Sequence, residues 1–348
     1  MWLSNTRQIK YSMRLCKILN FTRLLNYANL FFSYYLSRIT GSSLHKGMPW
    51  ALSVEPAGFC NLKCPECPVG ADVLIRKGGY LSFDLFKKIL TESQPAMGWL
   101  NLYFQGEPFL NSSLFDMINE AKNQNIFTVI STNGHFLDDE NCQKLIKSGL
   151  SELIVSIDGI RDVSYSKYRK GGYLSKVQQG IKRLIEQRKF LRSVLPFVTI
   201  QFLIFKHNEN EIDELKKWCK KTKVDRFIVK SAQINSFGDG SIEPPTLKKY
   251  SRYVKDENGR LIIKKKIKNR CFKQWSSAVF SWDGHLVPCC YDKNLEFSAG
   301  KITDNSLFQL WNSRKIKYIR KVIINDKKRL EMCNNCPEGR GGKLRIKN

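Results

Sequence analysis

Three cysteines lie within eight residues of one another, at Cys60, Cys64 and Cys67, in a C-x3-C-x2-C spacing. Cysteine thiolates at short fixed spacings are established ligands of iron–sulfur clusters. Three thiolates can hold a cubane cluster and leave one iron without a protein ligand, which indicates chemistry at the iron rather than electron transfer alone. The alternative is a zinc site, although zinc motifs usually pair C-x2-C elements and close with four ligands.

The size and composition are those of a folded protein in a reducing compartment. A chain of 348 residues with 42% hydrophobic residues can form one large domain and a smaller one, and it is not of the disordered class. Eleven cysteines would suit disulfides, but their grouping as C-x3-C-x2-C and C-x2-C in a long chain indicates metal ligands instead. We therefore expect a cytoplasmic protein that works at low oxygen.

The net charge of +27 favours anionic partners. These could be an acidic or phosphorylated substrate or an anionic membrane surface. The alternative is a lysine-rich chain with ordinary solvated surfaces. No helix-turn-helix or RNA-recognition pattern is present, so we expect no nucleic-acid partner.

The N-terminal segment 1–47 is predicted to be helical and basic, and residues 1–54 contain no Asp or Glu. Within it, residues 24–36 are apolar and aromatic, but this stretch is too short to cross a membrane. The segment is either a helix packed on the domain or an interfacial helix that makes a peripheral contact with an anionic membrane.

From residue 50 the chain alternates between strand-like and helix-like stretches, which predicts successive βα units around a parallel sheet. The predicted strands are Ala51–Glu55, Leu100–Phe104, Thr128–Ser131, Leu153–Ile157, Val198–Ile204 and Phe227–Lys230. The predicted helices are Ser82–Thr91, Ser112–Asn123, Asp138–Ser148, Leu174–Lys189 and Glu209–Lys221. The three-cysteine loop follows the first strand, and active sites of such barrels gather at the C-terminal ends of strands.

The cysteine spacing and its position resemble the radical S-adenosylmethionine (radical SAM) superfamily. The resemblance implies an α/β fold with a partial (β/α)6 TIM-like barrel over residues 48–235. Breaks at Gly238, Gly240, Pro244 and Pro245 predict a linker over 236–269. It also implies a [4Fe–4S] cluster on the three cysteines, with SAM bound to the open iron. The implied activity is reductive cleavage of SAM to a 5′-deoxyadenosyl radical, which abstracts hydrogen from a substrate.

The segment Gln105-Gly106-Glu107 resembles the Gly-Gly-Glu motif of this family, which binds the methionine amino group of SAM. An ammonium donor needs several acceptors and a nearby negative charge, which backbone oxygens and an acidic side chain provide. Two departures from the family pattern are present. Gln105 replaces the first glycine, and Glu66 stands where an aromatic residue usually precedes the third cysteine.

Four further residues resemble family positions that line the SAM pocket. Asn133, Ser156 and Asp158 follow or end the third and fourth predicted strands, and Arg169 could pair with the carboxylate of SAM through a two-pronged contact. Capping or surface roles are the alternative for these residues.

The C-terminal part, residues 270–348, resembles the small cysteine-rich SPASM/Twitch extensions of radical SAM enzymes. Its candidate ligands for an auxiliary [4Fe–4S] cluster are Cys271, Cys289, Cys333 and Cys336, and Cys290 could substitute for its neighbour. A hairpin turn at Asp283-Gly284 is predicted to deliver these adjacent cysteines. The alternative is a structural zinc site with four thiolate ligands.

Two functional hypotheses follow. The first is a radical SAM oxidoreductase or maturase that carries out a net oxidation or maturation reaction and takes electrons from a flavodoxin- or ferredoxin-type reductant. The auxiliary cluster would either accept the electron from the substrate radical or only fix the C-terminal domain and the substrate channel. The enzyme's substrate would be a peptide or protein, or a sugar-like small molecule, and the basic net charge favours an anionic one. The alternative is a non-catalytic iron–sulfur or zinc module that acts in assembly or binding.

Overall fold

The structure is a computed structural model that describes residues 5–235, 237, 240–264 and 266–336. Its strands are β1 Ala51–Val54, β2 Trp99–Asn101, β3 Phe127–Thr132, β4 Glu152–Ser156, β5 Phe197–Ile204, β6 Arg226–Ser231, β7 Tyr253–Lys255, β8 Leu261–Ile263, β9 Ser277–Phe280 and β10 Leu286–Val287. Its helices are α1 Asn5–Lys17, α2 Phe21–Thr40, α3 Phe83–Ser93, α4 Leu114–Asn123, α5 Asp139–Ser148, α6 Asp162–Tyr168, α7 Leu174–Phe190, α8 Ile212–Thr222, α9 Lys273–Ser276, α10 Leu307–Trp311, α11 Arg314–Asp326 and α12 Glu331–Asn334.

An eight-stranded sheet in the order β10-β9-β1-β2-β3-β4-β5-β6 organises the molecule. Strands β1 to β6 are parallel and neighbour one another in chain order, so the predicted six-stranded partial barrel is confirmed. Within the described residues no pairing joins β6 to β10, and the barrel is therefore open. The largest buried apolar cluster includes residues of these strands and of α3, α4, α5 and α7.

Helices α3 and α5 begin one residue after their predicted first residues, Ser82 and Asp138, because these two side chains cap the helices. The Ser82 hydroxyl accepts a hydrogen bond from the backbone of Leu85 at 3.2 Å, and Asp138 accepts one from the backbone of Asn141 at 2.8 Å. Gly149 ends α5 in the left-handed conformation, with a φ of 74°. Each cap satisfies backbone groups that a helix end would otherwise leave without partners.

The N-terminal segment forms two helices, separated at Asn20, whose side chain caps α2. Helix α1 lies at the N-terminal end of the barrel. The ring of Tyr11 stands 5.4 Å from that of Phe127 and 4.3 Å from that of Phe197, the first residues of β3 and β5. Ile18 packs in the same cluster, so α1 covers this end of the barrel interior. None of the described helices is long and apolar enough to cross a bilayer.

The C-terminal region extends the barrel sheet rather than standing apart from it. Strand β9 pairs in parallel with β1, and β10 returns antiparallel to β9. The predicted linker 236–269 contains the antiparallel hairpin of β7 and β8 in its described part. Sequence patterns indicated the turn between β9 and β10, but not β7 and β8 nor the pairing of β9 with β1. Each of these strands has only two to four residues and shows little periodicity.

Candidate functional site

A cavity of about 430 Å³ opens at the C-terminal edge of the parallel strands. It brings together the loops that follow β1 to β4, α6, β6 and part of the C-terminal region. Of the residues predicted to bind iron or SAM, those lining it are Cys60, Cys64, Cys67, Gln105, Gly106, Glu107, Asn133, Ser156 and Arg169. The position agrees with the usual location of active sites in βα barrels.

The three cysteines of the first loop share one wall of this cavity. Cys64 is buried, whereas Cys60 and Cys67 are half-buried. The backbone of Leu62 approaches the Cys60 sulfur at 3.4 Å, and that of Cys67 donates to the Cys64 carbonyl at 3.1 Å. Burial raises the pKa of Cys64 to about 12 and also raises the pKa of Cys60. The thiolate forms that bind metal therefore need positive charge beside them.

Gly106 brings the loop after β2 against the chain that leads to Cys60. Its φ is +67°, and a Cβ added there would lie 2.2 Å from the Ala57 carbonyl oxygen and 2.5 Å from that of Phe59. The backbone of Glu107 also donates to the Phe59 carbonyl at 2.7 Å. Only glycine allows this approach. Gln105, in place of the family glycine, is buried and lines the cavity.

The Glu107 carboxylate organises the loop after β3. Its Oε1 accepts hydrogen bonds from Thr132 Oγ1 at 2.8 Å and from the Phe109 backbone at 3.3 Å, and its Oε2 accepts one from the Asn133 backbone at 2.8 Å. Burial raises the pKa of Glu107 to about 7, although the three hydrogen bonds that the carboxylate accepts lower it. A carboxylate offers about four acceptor positions, so capacity remains for one further donor from the cavity.

Asn133 links the loop after β3 to the cysteine loop. Its Nδ2 donates to Asn61 Oδ1 at 2.7 Å and lies 3.8 Å from the Cys60 sulfur. Its Oδ1 accepts from the backbone of His135 at 3.0 Å, which orients the amide. Ser156 reaches the cavity from the end of β4.

Arg169 and Asp158 form a buried pair next to Cys64. Arg169 Nε donates to Asp158 Oδ2 at 2.6 Å, and Nη1 lies 3.8 Å from the Cys64 sulfur. Burial opposes the charged guanidinium, but Asp158 and Cys64 hold the pKa of Arg169 above its ordinary value. Asp158 also accepts from the Leu203 backbone at 2.7 Å and is fully buried behind the cavity wall. The structure thus places Asp158 where it positions Arg169, not where it would touch a bound molecule.

A chain of hydrogen bonds that sequence reasoning did not foresee connects the two cysteine regions. Glu66 Oε2 accepts from the Asn235 backbone at 2.5 Å, and the Asn235 side chain donates to the Glu66 carbonyl at 3.2 Å. Asn335, which lies between the last two cysteines, donates to the Ile234 carbonyl at 3.0 Å and accepts from the Tyr253 hydroxyl at 2.7 Å. The one available signal was the unusual glutamate before the third cysteine.

The predicted hairpin in the C-terminal region is confirmed: β9 and β10 are joined through Gly284, whose φ is +84°, and the cysteine pair follows β10. A hydrogen bond between the two adjacent thiols raises the pKa of Cys289 and lowers that of Cys290 to about 6. Cys271, Cys333 and Cys336 are buried. Either adjacent thiol can complete the predicted set of four.

The cavity also has a cationic wall. Lys230, Arg252 and Lys293 line it. Lys230 is exposed to solvent in the cavity. Partial desolvation by the surrounding protein and the positive charge of Lys273 lower its pKa. No hydrogen bond or ion pair to another described residue holds its ammonium group. The acidic residues of the cavity, Glu66 and Glu107, are already hydrogen-bonded.

The zinc alternative gains no support from the side-chain arrangement. Across the described residues, no three His, Cys, Asp or Glu side chains are placed so that they could hold a single metal ion. A structural zinc site needs four ligands within about 2.3 Å of one ion. A cluster of several irons separates its ligating sulfurs further, and three thiols on one cavity wall suit that larger group.

Two known domain families match this chain. Residues 54–219 match the Radical SAM superfamily, and residues 271–337 match an iron–sulfur cluster-binding domain named SPASM. The first match spans the three cysteines and every residue predicted to bind SAM. The second spans all the C-terminal cysteines.

Individual relatives agree with these matches. The chain is 26% identical over 303 residues to a tungsten-containing aldehyde ferredoxin oxidoreductase cofactor-modifying protein of Pyrococcus furiosus, covering 79% of this chain and 84% of the relative. The fold resembles that of BtrN in complex with AdoMet and 2-DOIA, with a TM-score of 0.52, 19% identity and coverage of 85% and 95% of the two chains. It also resembles Streptococcus suis SuiB bound to precursor peptide SuiA, with a TM-score of 0.60, 15% identity and coverage of 78% and 67%.

Proposed function

Because this chain belongs to the radical SAM superfamily and carries a SPASM-type cluster domain, we propose that it abstracts hydrogen from a C–H bond of an anionic substrate. One observation carries the proposal. Three thiols, the Gly106 loop, Asn133 and Arg169 meet around one cavity although they come from four different βα units. The donor set fits a [4Fe–4S] cluster, because three cysteines supply three ligands and the cavity gives access to a fourth position.

In this proposal Cys60, Cys64 and Cys67 hold the SAM-binding cluster. When bound and reduced, the cluster supplies the electron that cleaves SAM into methionine and a 5′-deoxyadenosyl radical. Arg169 stands beside Cys64 and offsets the negative charge of its thiolate.

The remaining residues of the cavity orient SAM. Glu107 and the backbone at Gln105 and Gly106 accept hydrogen bonds from its ammonium group, which a buried carboxylate favours by charge. Arg169 meets its carboxylate with the side of the guanidinium that Asp158 does not occupy. Asn133 and Ser156 provide polar groups for the ribose hydroxyls.

The auxiliary cluster is held by Cys271, Cys333, Cys336 and one of the adjacent Cys289 and Cys290. When bound, this cluster would accept one electron from the substrate after the hydrogen atom has been abstracted. The substrate would then lose two electrons and two protons in total: one of each leaves as the hydrogen atom in 5′-deoxyadenosine, the second electron goes to the cluster, and the second proton goes to solvent. We propose a net oxidation or maturation reaction on this basis. The electron that starts each cycle comes from a flavodoxin- or ferredoxin-type protein.

The substrate class follows from the cationic wall of Lys230, Arg252 and Lys293. Cations gathered in a concave site attract and orient anionic groups. Two kinds of substrate fit this wall: an acidic or phosphorylated sugar-like molecule, and an acidic peptide. BtrN and SuiB, which share the fold, were solved with a small molecule and with a peptide respectively.

We place the protein in the cytoplasm, under low oxygen. The eleven cysteines form no disulfide in the described structure, and seven of them are proposed cluster ligands that need reduced thiols. A net charge of +27 also suits an acidic reductant protein.

The proposed activity is tested by anaerobic reconstitution with iron and sulfide, followed by dithionite and SAM. We expect 5′-deoxyadenosine from the native chain and from Cys16→Ala, which removes an exposed thiol outside both groups. Cys64→Ala should yield none. If the native chain, loaded with both clusters, gives no 5′-deoxyadenosine, the non-catalytic alternative is the correct one.

The substrate class is tested by separating cell extracts on an anion-exchange column and adding the fractions to the reconstituted enzyme. Fractions retained by the column should stimulate 5′-deoxyadenosine formation, and Lys230→Met should lose that stimulation while keeping the basal rate. Stimulation confined to the unretained fractions would refute an anionic substrate. Peptidase treatment of the active fraction then separates the peptide from the small molecule.

A further inference from the structure

Helix α2 turns its polar side inward. Asn26 exchanges hydrogen bonds with the backbone of Met48 at 2.8 and 2.9 Å, and Ser37 donates to the Leu44 carbonyl at 2.6 Å. Arg23 is buried and donates to main-chain carbonyls, among them that of Ile18 at 2.8 Å. These bonds fix the rotation of the helix about its axis, because each polar side chain has its partners on the protein.

The opposite side of α2 is apolar and exposed. We call it the apolar stripe, and its members recur at intervals of three, four and seven residues, as one face of a helix does. They are Phe21, Leu24, Leu25, Phe32, Tyr35, Leu36 and Ile39. Phe21 is 80% exposed, Phe32 69% and Ile39 82%. A contiguous exposed apolar surface of this kind marks a binding surface for a membrane or another protein.

The charges around the apolar stripe favour an anionic membrane as its partner. Residues 1–54 contain no Asp or Glu. Lys17 is exposed just before α2, and Arg38 stands over the ring of Tyr35 at 5.6 Å. Lys46 is also exposed, in the segment that runs back along α2 from Leu44 to Met48. The end of α11 meets the end of α2, where Asn325 donates to the Gly41 carbonyl at 2.8 Å. The exposed charged residues beside this contact in the sequence include Lys321, Asp326 and Lys328.

The apolar stripe lies at the end of the molecule remote from the cavity. The polar side of α2 contacts the loop that precedes β3, through Arg23 and the Asn125 carbonyl at 2.9 Å. Its aromatic residues meet Trp50 before β1 and Phe272 before β9. All these contacts are at the N-terminal edge of the parallel strands, whereas the cysteine loop follows the C-terminal edge of β1.

We propose that α2 lies flat on an anionic membrane, with the apolar stripe among the lipid headgroups and the flanking cations on phosphate groups. A helix with one apolar aromatic face and surrounding Lys and Arg binds membranes in this way without crossing them. The cavity then opens away from the lipid, and the substrate enters from the aqueous phase. This inference concerns the location of the protein and does not depend on the proposed reaction.

The test is co-sedimentation of the full reconstituted chain with vesicles of phosphatidylglycerol and phosphatidylcholine in equal amounts. We expect binding that weakens when the salt rises from about 0.1 M to about 0.5 M, because screening reduces the charge attraction. The triple variant Leu25→Gln, Phe32→Gln, Leu36→Gln should bind at least about tenfold more weakly. Vesicles of phosphatidylcholine alone should bind weakly.

The matched control replaces three exposed apolar residues elsewhere, Val163→Gln, Phe190→Gln and Phe308→Gln, and should bind as the native chain does. Circular dichroism and iron content show that each variant is folded. Absence of vesicle binding by the native chain overturns the proposal, as does equal loss in both triple variants. A native dimer in ultracentrifugation that the stripe variant converts to a monomer, without vesicle binding, would assign the stripe to a second copy instead.

Discussion

The two cysteine regions differ in ligand number and in what surrounds them. Cys60, Cys64 and Cys67 form a group of three on the wall of an open cavity, with Arg169 within 3.8 Å of one sulfur. The C-terminal group offers four or five thiols, of which the adjacent pair follows the hairpin of β9 and β10, and the other three are buried. The region with fewer cysteine ligands is the one that a second molecule can reach. This is expected, because an iron that lacks a protein ligand is useful only where another molecule can bind it.

Removing one ligand from each group should give the largest and most unequal effects. Cys64→Ala should abolish SAM cleavage, because it disrupts the cluster that binds SAM. Cys336→Ala should remove the auxiliary cluster and keep SAM cleavage measurable. The iron content should fall from about eight to about four atoms per chain in both variants, because each loses one cluster. Equal loss of 5′-deoxyadenosine in both would refute the division of roles.

The close approach at Gly106 offers the next largest effect. Gly106→Ala places a methyl group 2.2 Å from the Ala57 carbonyl oxygen at a positive φ. Overpacking of this kind costs about 1–3 kcal/mol in the free energy of unfolding, in addition to backbone strain of about 1–3 kcal/mol. SAM binding, followed by equilibrium dialysis of the reconstituted protein, should be lost.

The matched control for that change is Gly259→Ala. Gly259 has a similar φ of +75° but no atom within 4 Å of the added methyl group. It therefore carries the strain without the clash, and SAM binding should stay at the native level. Equal damage in the two variants would show that the clash beside the cysteine loop has no special role.

The Asp158–Arg169 pair provides an intermediate test. Asp158→Asn removes the charge that fixes Arg169 beside Cys64, and groups that orient a metal site typically contribute about 10- to 100-fold to affinity or activity. We expect SAM affinity to fall within that range. Glu214→Gln is the control, because its ion pair with Arg161 is exposed and such pairs contribute about 0–1 kcal/mol. An unchanged SAM affinity in Asp158→Asn would contradict the positioning role.

The pH dependence of SAM binding should follow Glu107. Burial raises the pKa of this carboxyl to about 7, so the group is largely protonated below that pH and charged above it. A raised pKa means that the charged form destabilises the SAM-free protein above pH 7, and a bound ammonium group offsets that cost. SAM binding should therefore weaken as the pH falls from 8 to 6. Glu107→Gln should show weaker binding with no such dependence; a retained dependence would assign the titration to another group.

The smallest effect concerns the hydrogen bonds that join the two regions. Glu66→Ala removes the acceptor for the Asn235 backbone, and thereby loosens the link to Asn335 beside the last cysteines. Loss of such a bond costs about 1–3 kcal/mol when a buried partner is left unsatisfied. Paramagnetic resonance should show a broadened signal from the auxiliary cluster, with SAM cleavage reduced less than tenfold. Glu66→Gln keeps an acceptor and should restore the signal.

The barrel and the first cysteine group could be predicted from the sequence because both are local patterns. Strands β1 to β6 are apolar runs between helices of regular periodicity, and Cys60, Cys64 and Cys67 lie in one loop. The ends of most elements differ from prediction by one to three residues. The sequence pattern shows which residues are buried, but it does not show at which residue the hydrogen bonds of a helix or strand stop.

The missed features depend on contacts between distant segments. Nothing in the sequence of β9 indicates that it would pair with β1, more than 200 residues earlier. In the same way, the hydrogen bond of Glu66 depends on the position of Asn235 in the folded chain. The positioning role of Asp158 depends on the place of Arg169. Such partners are chosen by the folded chain and have no local signature.

The most direct test of the central claim measures whether SAM binds to the cluster of Cys60, Cys64 and Cys67. Electron–nuclear double resonance on the reduced Cys336→Ala protein, with SAM labelled at its amino nitrogen and carboxylate oxygens, isolates this cluster. We predict hyperfine coupling of both labels to the cluster, which requires an iron left open by the three cysteines. A fully loaded cluster that shows no coupling to either label would contradict the account.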